Sequence, residues 1–206
     1  MGSHSKLKVV VSAAFLVAFS VSAFAQAGAP APTPNRKFKH RGKIKATYDK
    51  SADQTLVALF PYQIRAGRQG PAVRITAGFT YLGRRLTSPP DAVEFGILSV
   101  SRDGWKFDKS RELVAWADGE RLELGRLEVV LARQHALRVP TFSGRDDPSS
   151  PGDIFHREDL AVAIPYDLFL RIAKAGKLVL QAGQEKLTLE DEHLEALREL
   201  ASRMLP

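Results

Sequence analysis

The polar segment 140–159 carries the highest density of side chains that could do chemistry. Clustered carboxylates can bind a hard cation such as Ca²⁺ or Mg²⁺, or a polar ligand. Two acids held at a fixed separation can also hydrolyse a glycosidic bond. The charged and titratable members of the segment are Arg145, Asp146, Asp147, Asp153, His156, Arg157, Glu158 and Asp159.

Four of these residues are candidate ligand-binding residues, namely Asp146, Asp147, Asp153 and His156. Their spacing does not fit an EF-hand loop, and the arginines beside the acids would neutralise them. The composition of the segment, rich in Asp, Ser, Pro and Gly, is also typical of an ordinary surface loop. We favour the loop, and keep ligand binding as the functional alternative.

Two tryptophans, Trp105 and Trp116, stand in or near consecutive predicted strands, close to Phe95 and Phe107. Exposed tryptophan is frequent at recognition surfaces, so Trp105 and Trp116 are further candidate ligand-binding residues, on a face suited to carbohydrate or peptide. Large aromatic side chains on alternating strands more often fill the core of a sheet protein. We therefore predict core positions for them, with the binding face as the alternative.

Most motifs of catalysis and metal binding are missing from the sequence. The chain has no cysteine, which excludes a thiol nucleophile and a disulfide. It has no Gly-x-Ser-x-Gly or phosphate-binding glycine motif, and its histidines form no His-x-x-x-His pair. We therefore predict no catalytic residue, no metal ion and no cofactor. His193, among acids near the start of the last predicted helix, is interpreted as their solvated partner.

The positive charge of the chain is concentrated near its N-terminus. The sequence has 30 Lys and Arg against 23 Asp and Glu, a net charge of +7. From Tyr48 onwards, 22 basic residues face 23 acidic ones, so the body is electrically balanced. The excess lies in a basic arm formed by Arg36, Lys37, Lys39, Arg41, Lys43 and Lys45.

The basic arm has two interpretations. It could make electrostatic contact with an anionic envelope component or a protein partner. It could also be the solvated face of a first strand, because Ile44, Ala46 and Tyr48 alternate with polar residues, and we favour this second interpretation. Nucleic acid is a disfavoured partner, since Phe38 is the arm's single residue capable of stacking on a base.

The first residues have the pattern of an export signal. Lys6 and Lys8 precede an apolar run over 9–21, and small residues at Ala23 and Ala25 suit cleavage after position 25 or 27. The alternative is an uncleaved membrane anchor, although the run is short for a bilayer span. The Ala/Pro-rich residues that follow predict an extended linker, so 26–42 is assigned as linker and basic arm.

These candidate residues must be positioned by a single β-rich domain over 43–206. Val73 to Tyr81 alternates between apolar and polar residues, which predicts a strand with one buried face. Asp118-Gly119 separates two apolar segments and predicts a tight hairpin. Leu160 to Ile164 is predicted as a short strand.

The C-terminal part is predicted to contain a helix after Pro165, a hairpin around Gly183-Gln184, and a last helix with a capping box at Thr188 to Asp191. The predicted class is α+β. It consists mostly of antiparallel sheet, sandwich-like or curled, with two C-terminal helices packed on it.

Together these patterns predict an exported bacterial binding or accessory protein, without catalytic activity, in the periplasm or at the cell surface. The alternative is a secreted hydrolase that acts on a cell-wall or envelope polymer through the acidic segment 140–159. Once the signal is removed, we expect no stable membrane span.

Overall fold

Antiparallel β-structure dominates the chain, as the alternating sequence pattern predicts. The computed structural model describes residues 37–66, 72–107, 110–137 and 153–205, which all belong to one unit, Asn35–Pro206. Within these residues the strands are β1 (Ile44–Asp49), β2 (Gln54–Ala66), β3 (Ala72–Leu82), β4 (Ala92–Ser101), β5 (Glu112–Ala117), β6 (Glu120–Arg126), β7 (Glu128–Leu137), β8 (Asp153–Pro165), β9 (Leu178–Ala182) and β10 (Glu185–Leu189). The helices are α1 (Tyr166–Lys174) and α2 (Asp191–Ser202).

The strands form two sheets. The large sheet has the order β1-β2-β3-β4-β8-β7, and the small sheet has the order β10-β9-β5-β6. All of these neighbouring strands are antiparallel. In β3, alternate residues from Val73 to Phe79 are buried while Arg74 is exposed, which is the pattern of a strand with one face in the core.

Side chains from both sheets and both helices join one hydrophobic core. Helix α1 contributes Phe169 and Ile172, and α2 contributes Leu194 and Leu197. α1 packs against α2, β4, β5 and β8, and α2 packs against β2, β3 and β10. The predicted α+β class, mostly antiparallel sheet with two helices, is confirmed.

The tight turns follow the sequence signals. Asp118 and Gly119 both have positive φ, 52° and 90°, as a two-residue hairpin turn between β5 and β6 requires. The Asp118 carboxylate also accepts hydrogen bonds from the backbone N–H groups of Gly176 and Lys177, at 3.0 and 2.8 Å. The turn of the small sheet is therefore tied to the segment between α1 and β9.

The predicted extent of the loop 140–159 is wrong at its C-terminal end. Strand β8 begins at Asp153, not at Leu160, and pairs with β4 on one side and β7 on the other. Its first half carries polar residues on both faces, so no apolar alternation marks it as a strand. Hydrogen bonding to two neighbouring strands, rather than burial of one apolar face, holds this half of β8 in the sheet.

The predicted start of the last helix is also wrong. Thr188 lies in β10, where Leu189 pairs with Leu178 of β9, and Glu190 is the N-cap of α2. His193 is buried, and its Nδ1 accepts a hydrogen bond from the Glu190 backbone N–H at 3.0 Å. His193 is therefore a capping residue in the core and not a solvated partner of acids.

Candidate functional site

The basic arm is fixed against the domain from Lys37 onwards. Residues 37–45 alternate between exposed positions, which hold the cations, and partly buried positions. We call this segment the basic strap; it concentrates five cations within at most about 30 Å of chain. The exposed residues are Lys37, Lys39, Arg41, Lys43 and Lys45, and those between them are Phe38, His40, Gly42 and Ile44.

Contacts to α2 and β2 hold the strap in place. The His40 side chain is only 4% exposed, and its Nε2 lies 2.7 Å from Glu199 Oε2 of α2. The backbone N–H of Arg41 donates to the Tyr62 hydroxyl at 3.3 Å. Gly42 fits closely, because a Cβ at this position would lie 3.1 Å from the Tyr62 ring. The strap is thus attached by its uncharged positions, and its cations stay outside.

Glu199 is the electrostatic partner of this attachment. Burial raises the pKa of the Glu199 carboxyl, but hydrogen bonds and charges from Arg203 and His40 outweigh burial. The net result is a pKa below the ordinary value of 4.5. Glu199 therefore stays ionised at neutral pH and holds the His40 imidazole in place.

The cations of the strap are largely free for an external partner. Arg41 is 89% exposed, and its Nε lies 3.8 Å from Glu192, a weak pair in water. Among the described residues, Lys37, Lys39 and Lys43 have no ion-pair partner. The ammonium of Lys45 lies 5.5 Å from the centre of the Phe60 ring. The result is a row of exposed cations held at fixed positions on the domain surface.

A second cluster lies where β4 and β8 pair at one end of the large sheet. Ser99 and Ser101 of β4 lie directly opposite Glu158 and His156 of β8. The His156 ring packs edge-on against Trp105, with ring centres 4.9 Å apart. Two of the candidate ligand-binding residues, which are far apart in sequence, are therefore brought into contact.

Glu158 organises the loop that carries Trp105. Its carboxylate is almost fully buried and accepts hydrogen bonds from the backbone N–H groups of Lys106 and Phe107, at 2.7 and 3.2 Å. The Phe107 side chain is completely buried beside them. Trp105 itself remains 37% exposed. A rigid support thus presents a large aromatic side chain to solvent.

This cluster contains the residue types of a hydrolytic triad, but its carboxylate and the Ser101 hydroxyl are already engaged. The Glu158 carboxylate is occupied by backbone donors, and Ser101 Oγ accepts from the Asp103 backbone N–H at 3.1 Å. A triad needs its carboxylate to orient the histidine and a hydroxyl free to attack. The contacts of Glu158 and Ser101 instead hold the Trp105 loop in place.

The other predicted site residues are placed as follows. Trp116 lies in β5 of the small sheet, opposite Arg121 and Val179, and is 39% exposed. The predicted core position is therefore wrong for Trp105 and Trp116, and it is confirmed for Phe107. Asp153 is the first residue of β8. Asp146, Asp147 and Arg36 lie outside the described residues.

Sequence analysis missed the roles of His40, Tyr62 and Glu158. A signal for His40 existed, because the sequence alternation that begins at Tyr48 extends back to Lys37, and the even positions 38, 40, 42 and 44 are partly buried. Nothing local marks Glu158, whose donors lie 51 and 52 positions away.

A shallow trough of about 360 Å³ lies on the other face of the large sheet. Small residues such as Ala58, Gly78 and Ala163 create it, and Glu94 is its one charged lining residue among those described. Thr76, Thr80 and Glu94 are polar lining residues, and most of the remaining lining is apolar.

Across 37–66, 72–107, 110–137 and 153–205, no three acidic or histidine side chains come together as a metal site. Neither α1 nor α2 is long and apolar enough to cross a bilayer. The chain matches no protein-family model, no curated protein and no solved structure.

Proposed function

We propose that the protein is an exported bacterial binding protein that attaches to an anionic polymer of the cell envelope through the basic strap. The observation that carries this proposal is the anchoring of His40 on Glu199, which fixes the strap with its cations outward. The pattern of an export signal in the first 25 residues supports a location in the periplasm or at the cell surface.

Anchoring matters because binding by a flexible arm would have to order the chain as well as pair its charges. The strap is already ordered in the folded domain, so binding an anion does not require this loss of conformational entropy. Exposed charges attract over about one Debye length, roughly 8 Å at physiological salt. Closely spaced cations therefore attract a polyanion jointly, and their attraction weakens as salt is added.

A linear polymer suits the strap better than a flat anionic surface does. The first turn of α2 carries Asp191 and Glu192, and Glu192 lies 3.8 Å from Arg41. A flat anionic surface that covered the strap would also bring negative charge close to Asp191 and Glu192. A single polymer chain can follow the cations and avoid these two acids. The proposed ligand class is a phosphate- or carboxylate-bearing envelope glycan, and the mechanism is recognition without catalysis.

The test is binding of the mature protein to immobilised dextran sulfate, with uncharged dextran as the control polymer. We expect the affinity to fall at least about ten-fold between about 50 and about 300 mM salt. The double variant Lys39→Ala/Lys43→Ala should weaken binding several-fold, while the matched pair Lys174→Ala/Lys177→Ala, exposed on and after α1, should not. Equal losses in both pairs, or binding that ignores salt, would contradict the proposal.

The export component has its own measurement. Expression in a bacterial host followed by intact mass analysis of the exported fraction should show cleavage after Ala25 or Ala27. Retention of residues 1–25 would contradict a cleaved signal and support the anchor instead.

A further inference from the structure

The loop that presents Trp105 is built before any ligand arrives. Glu158 binds two of its backbone N–H groups, and Phe107 fixes it in the core. At its other end, Gly104 has φ +90°, a conformation that L side chains rarely adopt, so the loop turns tightly before Trp105. An exposed indole on such a rigid support can contact a ligand with little loss of conformational entropy.

Hydrogen-bonding capacity beside this indole is unused. His156 Nδ1 is a buried atom with no hydrogen-bond partner among the described residues, and the same holds for Ser99 Oγ. Ser99 is completely buried, and by the β4–β8 register it lies on the same face of the sheet as His156. Buried polar atoms are nearly always paired, so His156 Nδ1 and Ser99 Oγ each have capacity for a hydrogen bond that no described residue supplies.

The charged groups around the indole each contact another group of the domain. Lys106 pairs with Asp103, with Nζ and Oδ2 3.7 Å apart. Glu158 is taken by backbone donors, and the Arg102 guanidinium lies over the Phe155 ring at 5.1 Å. A charged ligand would have to compete with these contacts. The site instead offers an apolar ring face next to a ring nitrogen that has no hydrogen-bond partner among the described residues.

We propose that Trp105 and His156 form a binding site for a neutral carbohydrate. The C–H face of a sugar ring stacks on the exposed indole, and a sugar hydroxyl hydrogen-bonds to the buried His156 Nδ1 once the edge of the Trp105 ring moves aside. This site is separate from the anion-binding strap and goes beyond the proposed function. Since its contacts are ring stacking and a hydrogen bond rather than ion pairs, its affinity is insensitive to salt.

The experiment uses the mature protein and an array of immobilised neutral hexose and N-acetylhexosamine oligosaccharides. The best-bound member is then titrated against the variants Trp105→Ala and His156→Phe, the second of which keeps a ring against Trp105 but lacks Nδ1. Trp116→Ala is the matched control, because Trp116 is 39% exposed and Trp105 is 37% exposed. Circular dichroism verifies that each variant is folded.

We expect Trp105→Ala and His156→Phe to weaken glycan binding by at least about ten-fold and several-fold, respectively, and Trp116→Ala to change it less than about two-fold. In Trp116→Phe, where Trp105 is the single remaining tryptophan, saturating glycan should shift the indole emission. Lys39→Ala/Lys43→Ala should bind the glycan normally, which separates this site from the strap. No bound member on the array, equal losses in Trp105→Ala and Trp116→Ala, or no emission shift would each overturn the proposal.

Discussion

His40 and Glu199 lie 159 positions apart in the chain, yet His40 Nε2 is 2.7 Å from Glu199 Oε2. The contact joins the strap to α2, the last helix of the described chain. It is shielded from water, because the His40 side chain is almost completely covered. The strap is therefore a part of the folded domain, and its attachment can be measured as stability.

Replacing His40 by Ala should lower the free energy of unfolding by about 1–3 kcal/mol, because Glu199 loses a buried partner and a small cavity remains. Denaturant unfolding measures this change. Lys39→Ala, one residue away but exposed, should change it by less than about 0.5 kcal/mol. Limited trypsin digestion should also cleave the strap faster in His40→Ala than in the original chain. Equal rates of cleavage in the two proteins would mean that His40 does not anchor the strap.

Glu199 predicts a pH dependence with a definite sign. Its pKa in the folded protein is lower than the ordinary value of 4.5, so its contribution to stability is fully present above that pH. The contribution is lost as the pH falls through the lower, folded-state pKa. The free energy of unfolding should be measured at several pH values between about 7 and about 3. As the pH falls into the acid range, it should decrease less steeply for Glu199→Gln than for the original chain. Parallel curves would contradict this assignment.

Removing the Glu158 carboxylate should release the Trp105 loop. We expect Glu158→Ala to lose about 2–3 kcal/mol of stability, because two buried backbone N–H groups are left without an acceptor, and Glu158→Gln to lose less. The emission of Trp105 in a Trp116→Phe background should move to longer wavelength in Glu158→Ala. Glu112→Ala, at an exposed position in β5, is the control for loss of a carboxylate.

Asp118 should be replaceable by Asn but not by Ala. Its φ of 52° is tolerated by Asp and Asn, and its carboxylate bonds the backbone at Gly176 and Lys177. We expect a loss of about 1–2 kcal/mol in Asp118→Ala and a smaller loss in Asp118→Asn, measured by thermal or denaturant unfolding. Glu123→Ala on the neighbouring strand should have little effect on stability. A loss as large as that of Asp118→Ala would contradict a specific role for the Asp118 carboxylate.

The sequence predicted those elements whose signals are local. The alternation from Val73 to Tyr81 and the Asp118-Gly119 pair each depend on a few adjacent residues, and both occur as expected. The first half of β8 was not predicted, because polar residues on both faces leave no period to detect. Its place in the sheet depends on hydrogen bonds to β4 and β7, which are distant in sequence.

In the candidate sites, too, the sequence reveals local features but not contacts between residues that are distant in the chain. The cations of the strap are visible in the sequence, but their anchoring by Glu199 depends on a helix at the far end of the chain. Trp105 and His156 were both candidates, and their contact follows from the β4–β8 register, which no local pattern reveals. His193 was misjudged because neighbouring acids suggested solvent, whereas its Nε2 lies 2.9 Å from the Gln63 carbonyl oxygen.

The contact of His40 with Glu199 also sets an order of events for a chain that is synthesised or threaded through a membrane N-terminus first. His40 emerges before every strand, but its partner Glu199 lies on α2, the last described element to appear. Until α2 has folded, the strap has its contacts with β2 but lacks the attachment of His40 to Glu199. The arrangement of the strap is thus completed only in a molecule whose whole domain is finished, so a truncated or stalled chain never displays it.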